Sequence, residues 1–507
     1  MSDTAVVESG TRLQNFLDRA GLRGFPWKTA TILYTISWGW LFIVHDSYWS
    51  DDWQMFTEYA NIDLGRQGFA PWYEALVDSS KIVGPTVLRL IIFISYFTVG
   101  LLLKGILEKF EYLNDKQRQF TVLAFLLLPF NSVRVSLMVL LYTLSYFVFF
   151  LAWYLLVHFK SQKIYISSLL VFFFSFLMHS LLLFYFLPMF HIFYLSESKN
   201  LRDIVSFARA NYRMLFLPII YWTMRKTFWP EEISYHDVSL ARLAGTAPFV
   251  VFSGILLFLA FVFQRKTLVI RQSLQIIFVG ILSLFLGVFA YVVLGFFTAD
   301  MSFFSNYIVT FLGRSDWYSR HQTLQPLGAA LLIVGVIGLL PKFFRGFTKQ
   351  IQVFILTVCV VLNIGFGFEY VVDHSKQREV INQLKDEGEG KSGSNYQFVD
   401  QTILLNARGR SYRERDWDGL IWLAYGVESM QSSRVATTCD PSGDARLVLI
   451  QGPETHWDAL KNWVSDGDMG FEVMVDDTPG ACKPEMVRSE KVSGVIPILF
   501  YFTGAKG

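Results

Sequence analysis

Residues 46–53 read Asp46-Ser47-Tyr48-Trp49-Ser50-Asp51-Asp52-Trp53, and they follow directly on the first long apolar run, residues 29–45. Carboxylates at a membrane mouth are costly to desolvate, so they mark chemistry, an ion path or a bound cation. The apolar run before them is too long for a signal-peptide core and lacks a small-residue cleavage pattern. It therefore reads as an uncleaved first span. Upstream, residues 1–28 are polar and hold Arg12, Arg19, Arg23 and Lys28. Leu13, Phe16, Leu17 and Ala20 share one helical face there, which fits either a short interfacial helix or a frayed polar tail.

The rest of the chain has the same character. Of 507 residues, 53% are hydrophobic and only 17% charged, and mean hydropathy is +0.39, which predicts a polytopic membrane protein. The net charge of +2 is spread over loops rather than gathered in a stripe, so nucleic-acid binding is set aside. Apolar runs predict about eleven membrane helices, several of them short or broken. They fall near residues 29–45, 85–107, 119–130, 135–158, 164–178, 181–195, 213–224, 247–263, 274–297, 326–341 and 350–370. A cytoplasmic N-terminus puts Lys109, Lys116, Arg118, Lys160, Lys163, Arg202, Arg209, Arg265, Lys266, Lys342 and Arg345 inside, as the positive-inside rule requires.

The expected fold is thus an all-α multi-pass membrane protein with a C-terminal extracytoplasmic α/β domain. Residues 1–28 form a cytoplasmic segment, 29–372 the membrane domain with its outer loops, and 373–507 the exported domain. In that last part β-like stretches (446–450, 471–475, 495–502) alternate with helix-like ones (417–425, 455–464). Cys359 lies in an apolar span and reads as a core residue. Cys439 and Cys482 fall in the exported part, where an oxidising compartment permits a disulfide. Walker, HExxH and GxSxG motifs are missing, so ATPase, metalloprotease and serine-hydrolase readings lose support.

On the outer face of this topology the unusual charges collect. Asp51 and Asp52 sit between Trp49 and Trp53, residues suited to the membrane interface. A carboxylate near apolar surface has a raised proton affinity and can act as a general base, and a neighbouring one could help hold a divalent cation, Mg or Mn. A solvated acidic loop is the alternative. Asp46 is a third carboxylate, either ligand or cap. Arg89 lies inside the second span and should face the bundle interior or a cleft. Arg134 follows an outer break at Pro129-Phe130-Asn131, Arg225 closes a short span, and Arg314, Arg320 and His321 crowd the last outer loop. Arginine forks match phosphate oxygens, although each could instead snorkel to lipid headgroups. His179 interrupts an apolar stretch as either proton acceptor or structural histidine.

The pattern resembles the C-superfamily (GT-C) of integral-membrane glycosyltransferases, particularly bacterial types that use polyprenyl-phosphate sugars. The resembling elements are the cytoplasmic N-terminus, the first span followed by Ser50-Asp51-Asp52-Trp53, a Gly65-Arg66 later in that loop, the many short spans and the exported C-terminal part. The resemblance implies that Asp51 or Asp52 is catalytic base or metal ligand, and that Arg314, Arg320 and His321 hold the lipid phosphate. It further implies inverting transfer from a polyprenyl-phosphate-linked sugar to a glycan, lipid or protein acceptor, in the bacterial inner membrane. A transporter or flippase of a lipid-linked saccharide, a polysaccharide polymerase or ligase, and an acyltransferase based on His179 are the rival readings. Transporters usually show paired repeats, and none is visible.

Overall fold

The computed structural model describes residues 24–49, 52–53, 71–195, 201–230, 269–293, 322–387, 395–407, 410–426, 435–436, 445–478 and 481–482. The expected interfacial helix around 13–20, the apolar run 247–263 and the β-like stretch 495–502 lie outside them. In chain order the helices are α1 (Trp27–Trp38), α2 (Pro71–Val83), α3 (Pro85–Glu108), α4 (Asp115–Leu127), α5 (Val139–His158), α6 (Gln162–Ser175), α7 (Ser180–Phe184) and α8 (Phe186–Leu195). They continue as α9 (Leu201–Ala210), α10 (Tyr212–Phe228), α11 (Val269–Val293), α12 (Gln325–Leu339), α13 (Lys342–Arg345) and α14 (Thr348–Asp386). The C-terminal part adds α15 (Glu414–Tyr425) and α16 (His456–Asp466) around β1 (Tyr396–Asp400), β2 (Val435–Ala436), β3 (Arg446–Gln451) and β4 (Glu472–Asp476).

The chain is a multi-pass integral-membrane protein, but the expected count of about eleven spans is corrected. Among the described residues four helices are long and apolar enough to cross: Pro85–Glu108, Val139–His158, Gln322–Leu339 and Thr348–Asp386. The stretches 162–175, 180–195 and 272–287 hold shorter apolar helices. Length is the physical reason. The run 29–45 breaks after Trp38 into a four-residue 3₁₀ turn, Gly39–Phe42, so α1 covers roughly 18 Å at 1.5 Å per residue, too little for a bilayer core. Likewise α4 starts at a capping box between Asn114 and Gln117 and stops before Pro129, leaving a 13-residue helix buried inside the bundle.

Close helix packing comes from small residues. Along the α11–α12 contact, a Cβ on Gly280 would lie 2.8 Å from the Leu332 amide nitrogen, and one on Gly328 would lie 2.6 Å from the Leu284 nitrogen. Only hydrogen side chains let these backbones meet.

The expected C-terminal extracytoplasmic α/β domain is also corrected: among the described residues it is a small open sheet docked onto α14. The order is β2-β1-β3-β4, with β1 parallel to β2 and β3, and β4 antiparallel to β3. The 39-residue α14 runs unbroken through residue 373 from the membrane part into this sheet. One apolar core holds Tyr48 and Trp53 of the first loop, Leu88 and Ile92 of α3, Val380 and Leu384 of α14, and Phe398 and Trp417 of the C-terminal part. A Cβ on Gly419 would run into the Trp53 indole, so the ring lies against the α15 backbone.

Candidate functional site

The first loop is fixed by three buried charges. Asp52 is fully buried. Its Oδ1 accepts from the Ser136 hydroxyl (2.6 Å) and the Met138 amide (3.2 Å), and its Oδ2 accepts from the Trp49 amide (3.1 Å). Burial pushes its carboxyl up to about 6, partly offset by the Ser136 hydrogen bond and the Arg89 charge. Arg89, equally buried, spends its guanidinium on backbone oxygens: Nε donates to Val135 O (3.0 Å), Nη1 to His45 O and Nη2 to Ser47 O. Asp373 of α14 receives the Trp49 indole N–H (3.1 Å), the Ala407 amide (3.0 Å) and the Tyr412 hydroxyl. The loop 45–53, the break 131–138 and α14 are thereby tied together.

On this platform stands a more exposed group. Asp46, about 40% exposed, lies 3.4 Å from His374 Nε2 and 3.2 Å from Arg378 Nη2. Burial alone would raise its carboxyl, but the His374 and Arg378 charges outweigh that and hold it below the ordinary range. His45, exposed, is hydrogen-bonded through Nδ1 to the Thr86 hydroxyl at 3.0 Å. An ionised carboxylate with a cation and an imidazole beside it is a proton-handling set.

A second feature lies deeper. Arg134, 2% exposed, is held between the Trp38 and Tyr96 rings, with its Cζ 3.9 and 3.6 Å from their centroids. Its Nη2 donates to Phe130 O at 3.4 Å and its charge acts on the Tyr34 and Tyr96 hydroxyls, while among the described residues Nε and Nη1 have no acceptor in good geometry. The same break carries Asn131 at φ 53, a left-handed conformation that asparagine tolerates better than most residues. Asn131 reaches Thr323 Oγ1 (3.0 Å) through its amide group and Gln322 Oε1 (3.3 Å) through its backbone. Among the described residues Gln322 Nε2, Gln325 Oε1 and Asn363 Oδ1 are buried without a hydrogen-bond partner as well.

Asp46, Asp52 and Arg89 are thus brought together, with Arg134 two residues from Ser136. His179 and Arg225 form a separate group around Tyr221: the histidine ring lies 6.4 Å from the tyrosine ring, and the Arg225 charge acts on the tyrosine hydroxyl. Asp51, Arg66, Arg314, Arg320, His321 and Cys439 lie outside the described residues. Cys482 is disulfide-bonded, and Cys359 is free and buried.

The expected divalent-cation site, Mg or Mn at Asp51 and Asp52, is corrected. Among the described residues no cluster of three or more His, Cys, Asp or Glu side chains is placed to hold a metal. Asp52 shows why, since both its oxygens already accept protein donors. Sequence reading missed Asp373, His374, Lys376, Gln377 and Arg378. Their signal was helical spacing: Asp373 and Gln377 continue, beyond the apolar run, the buried face of α14 that holds Asn363, Phe366 and Tyr370. Comparison of the chain with known families, curated proteins and solved structures finds no match.

Proposed function

We propose that this protein is a membrane glycosyltransferase of GT-C type, moving a sugar from a polyprenyl-phosphate donor to a glycan, lipid or protein acceptor. The observation that carries the reading is the ionised, solvent-reached Asp46 flanked by His374 and Arg378, on a loop made rigid by Asp52, Arg89 and Asp373. In this scheme a carboxylate, Asp46 or the neighbouring Asp51, takes the proton of an acceptor hydroxyl. The acceptor oxygen forms its bond to the anomeric carbon as the carbon–oxygen bond to phosphate breaks, and the phosphate leaves with that electron pair. Asp52 positions the loop, because its oxygens are already filled. Arg134, a buried guanidinium held between the Trp38 and Tyr96 rings, supports a phosphate-binding role, to which Arg225, Arg314, Arg320 and His321 are further candidates. The orientation proposed is N-terminus cytoplasmic and C-terminal sheet outside, in a bacterial inner membrane, following the basic cytoplasmic loops.

The buried Arg134 also favours a second reading, a transporter of a lipid-linked saccharide, since a guanidinium lodged between rings inside the bundle suits a phosphate in transit. Purified protein in bilayers with radiolabelled polyprenyl-phosphate sugars separates the two. Label joined covalently to acceptor supports transfer, whereas label crossing the bilayer on unaltered lipid supports transport and removes the glycosyltransferase reading.

A further inference from the structure

The exposed apolar residues of α14 form one stripe: Val353, Phe354, Val358, Val361 and Ile364 share a helical face, opposite the buried Cys359, Asn363 and Phe366. Such a stripe on a membrane-crossing helix faces lipid. From the exposed Phe347 to Phe368 the helix rises roughly 31 Å, the thickness of the hydrocarbon core. The outer edge of the hydrocarbon therefore falls near Phe368. Phe368, Val371 and Val372 continue the same stripe, yet they are covered by Leu405, Ala459, Met469 and Phe471. Ala459 belongs to α16, so α16 sits over the lipid-facing side of α14 at the level where that side leaves the hydrocarbon.

The outer residues of α16 suit that place. Trp457 is 61% exposed, Trp463 53% and Val464 75%. Trp457 and Val464 are seven residues apart and share a face with Lys461, whose charge is paired with Asp458 at 3.1 Å. The helix is defined at both ends, by the Thr455 hydroxyl accepting from the Asp458 amide and by Gly467 at φ 77. Exposed indoles beside a lysine are the composition of a helix lying in the headgroup layer.

We infer that α16 is a membrane-surface shelf, with Trp457 and Val464 seated in the interfacial layer of the bilayer beside α14. The partner is lipid, because the α16 contact is continuous with the lipid-facing stripe of α14. The sheet attached to α16 is thereby held flat against the membrane, which keeps the Asp46 group at a fixed height above it. This inference does not depend on the glycosyltransferase reading.

The test uses the full chain in a Cys359→Ala background, reconstituted in phosphatidylethanolamine–phosphatidylglycerol bilayers. A nitroxide is placed by Trp457→Cys or Val464→Cys and, as a water-exposed reference, by Glu472→Cys on β4. Collision with oxygen, which concentrates in lipid, is compared with collision with a water-soluble nickel chelate. The inference expects the oxygen-to-nickel ratio at 457 and 464 to exceed that at 472 several-fold. A ratio equal to the reference overturns it, placing α16 in water. Protection from both reagents also overturns it, since protein, such as a second copy, would then cover the helix.

Discussion

Asp52 and Asp400 are both buried carboxylates, yet their surroundings push them in opposite directions. Among the described residues Asp52 makes no ion pair, and burial, only partly offset by the Ser136 hydrogen bond and the Arg89 charge, raises it to about 6, above its ordinary value of about 4. The native state then holds that proton more tightly than the unfolded chain. Stability therefore falls as pH rises between about 4 and about 6, by about 3 kcal/mol. Thermal melts of wild type and Asp52→Asn across that window are expected to differ in slope, with the variant lacking this fall; parallel curves contradict it. Asp400 is also pushed up by burial, but Lys376 at 2.9 Å and the Thr402 hydrogen bonds outweigh this and lower it. Its contribution is present above the ordinary carboxylate value and is lost only as pH falls below it. Arg89 donates to three backbone oxygens, a pattern a lysine cannot reproduce. Arg89→Lys is expected to lose about 2–3 kcal/mol in denaturant melts, the size of charged hydrogen bonds in a buried site. A loss within error of zero contradicts the bracing role.

Helices α11 and α12 give the sharpest contrast between glycines. Gly328 lies against the α11 backbone, whereas Gly365 on α14 has open space around it. Gly328→Ala is expected to cost about 1–3 kcal/mol through overpacking, while Gly365→Ala is neutral or gains up to about 1 kcal/mol from helix propensity. Unfolding followed by circular dichroism in one detergent measures both, and equal effects contradict the packing account. These elements also show what was legible in the sequence. Runs 85–107 and 135–158 were readable as spans because each is long and mostly apolar, with Arg89 and Lys104 as the charged residues of the first and no Asp, Glu, Lys or Arg in the second. Run 29–45 was misread because hydropathy does not register the break at Gly39, nor that α1 and α4 are short and enclosed by other helices. Asp46, Asp52, Arg89 and Arg134 stood out as charges beside apolar runs, which is a local signal. His374 and Arg378 did not, because their importance comes from a helix that continues past its apolar segment to meet residues more than 300 positions earlier.

Across the molecule, the membrane bundle and the C-terminal sheet are joined through α14. Lys376, buried, reaches Asp400 on the sheet and the Asn406 side chain, while Gln377 donates to the Tyr48 carbonyl and to the Tyr412 hydroxyl. Lys376→Met strands a buried Asp400, a change that typically costs about 3–5 kcal/mol. Limited proteolysis is expected to cut the C-terminal part free faster in that variant, and an unchanged rate contradicts a docked sheet. The same junction places Asp46 beside His374 and Arg378, so the proposed chemistry stands on it. The decisive measurement is sugar transfer from radiolabelled polyprenyl-phosphate donors to membrane acceptors by purified wild type, Asp46→Asn and Asp51→Asn. Transfer by wild type, with loss of at least about 100-fold in one of the two variants as expected for removal of a general base, is the outcome the proposal requires. Transfer undiminished in both variants, or no transfer by wild type with any donor, contradicts it.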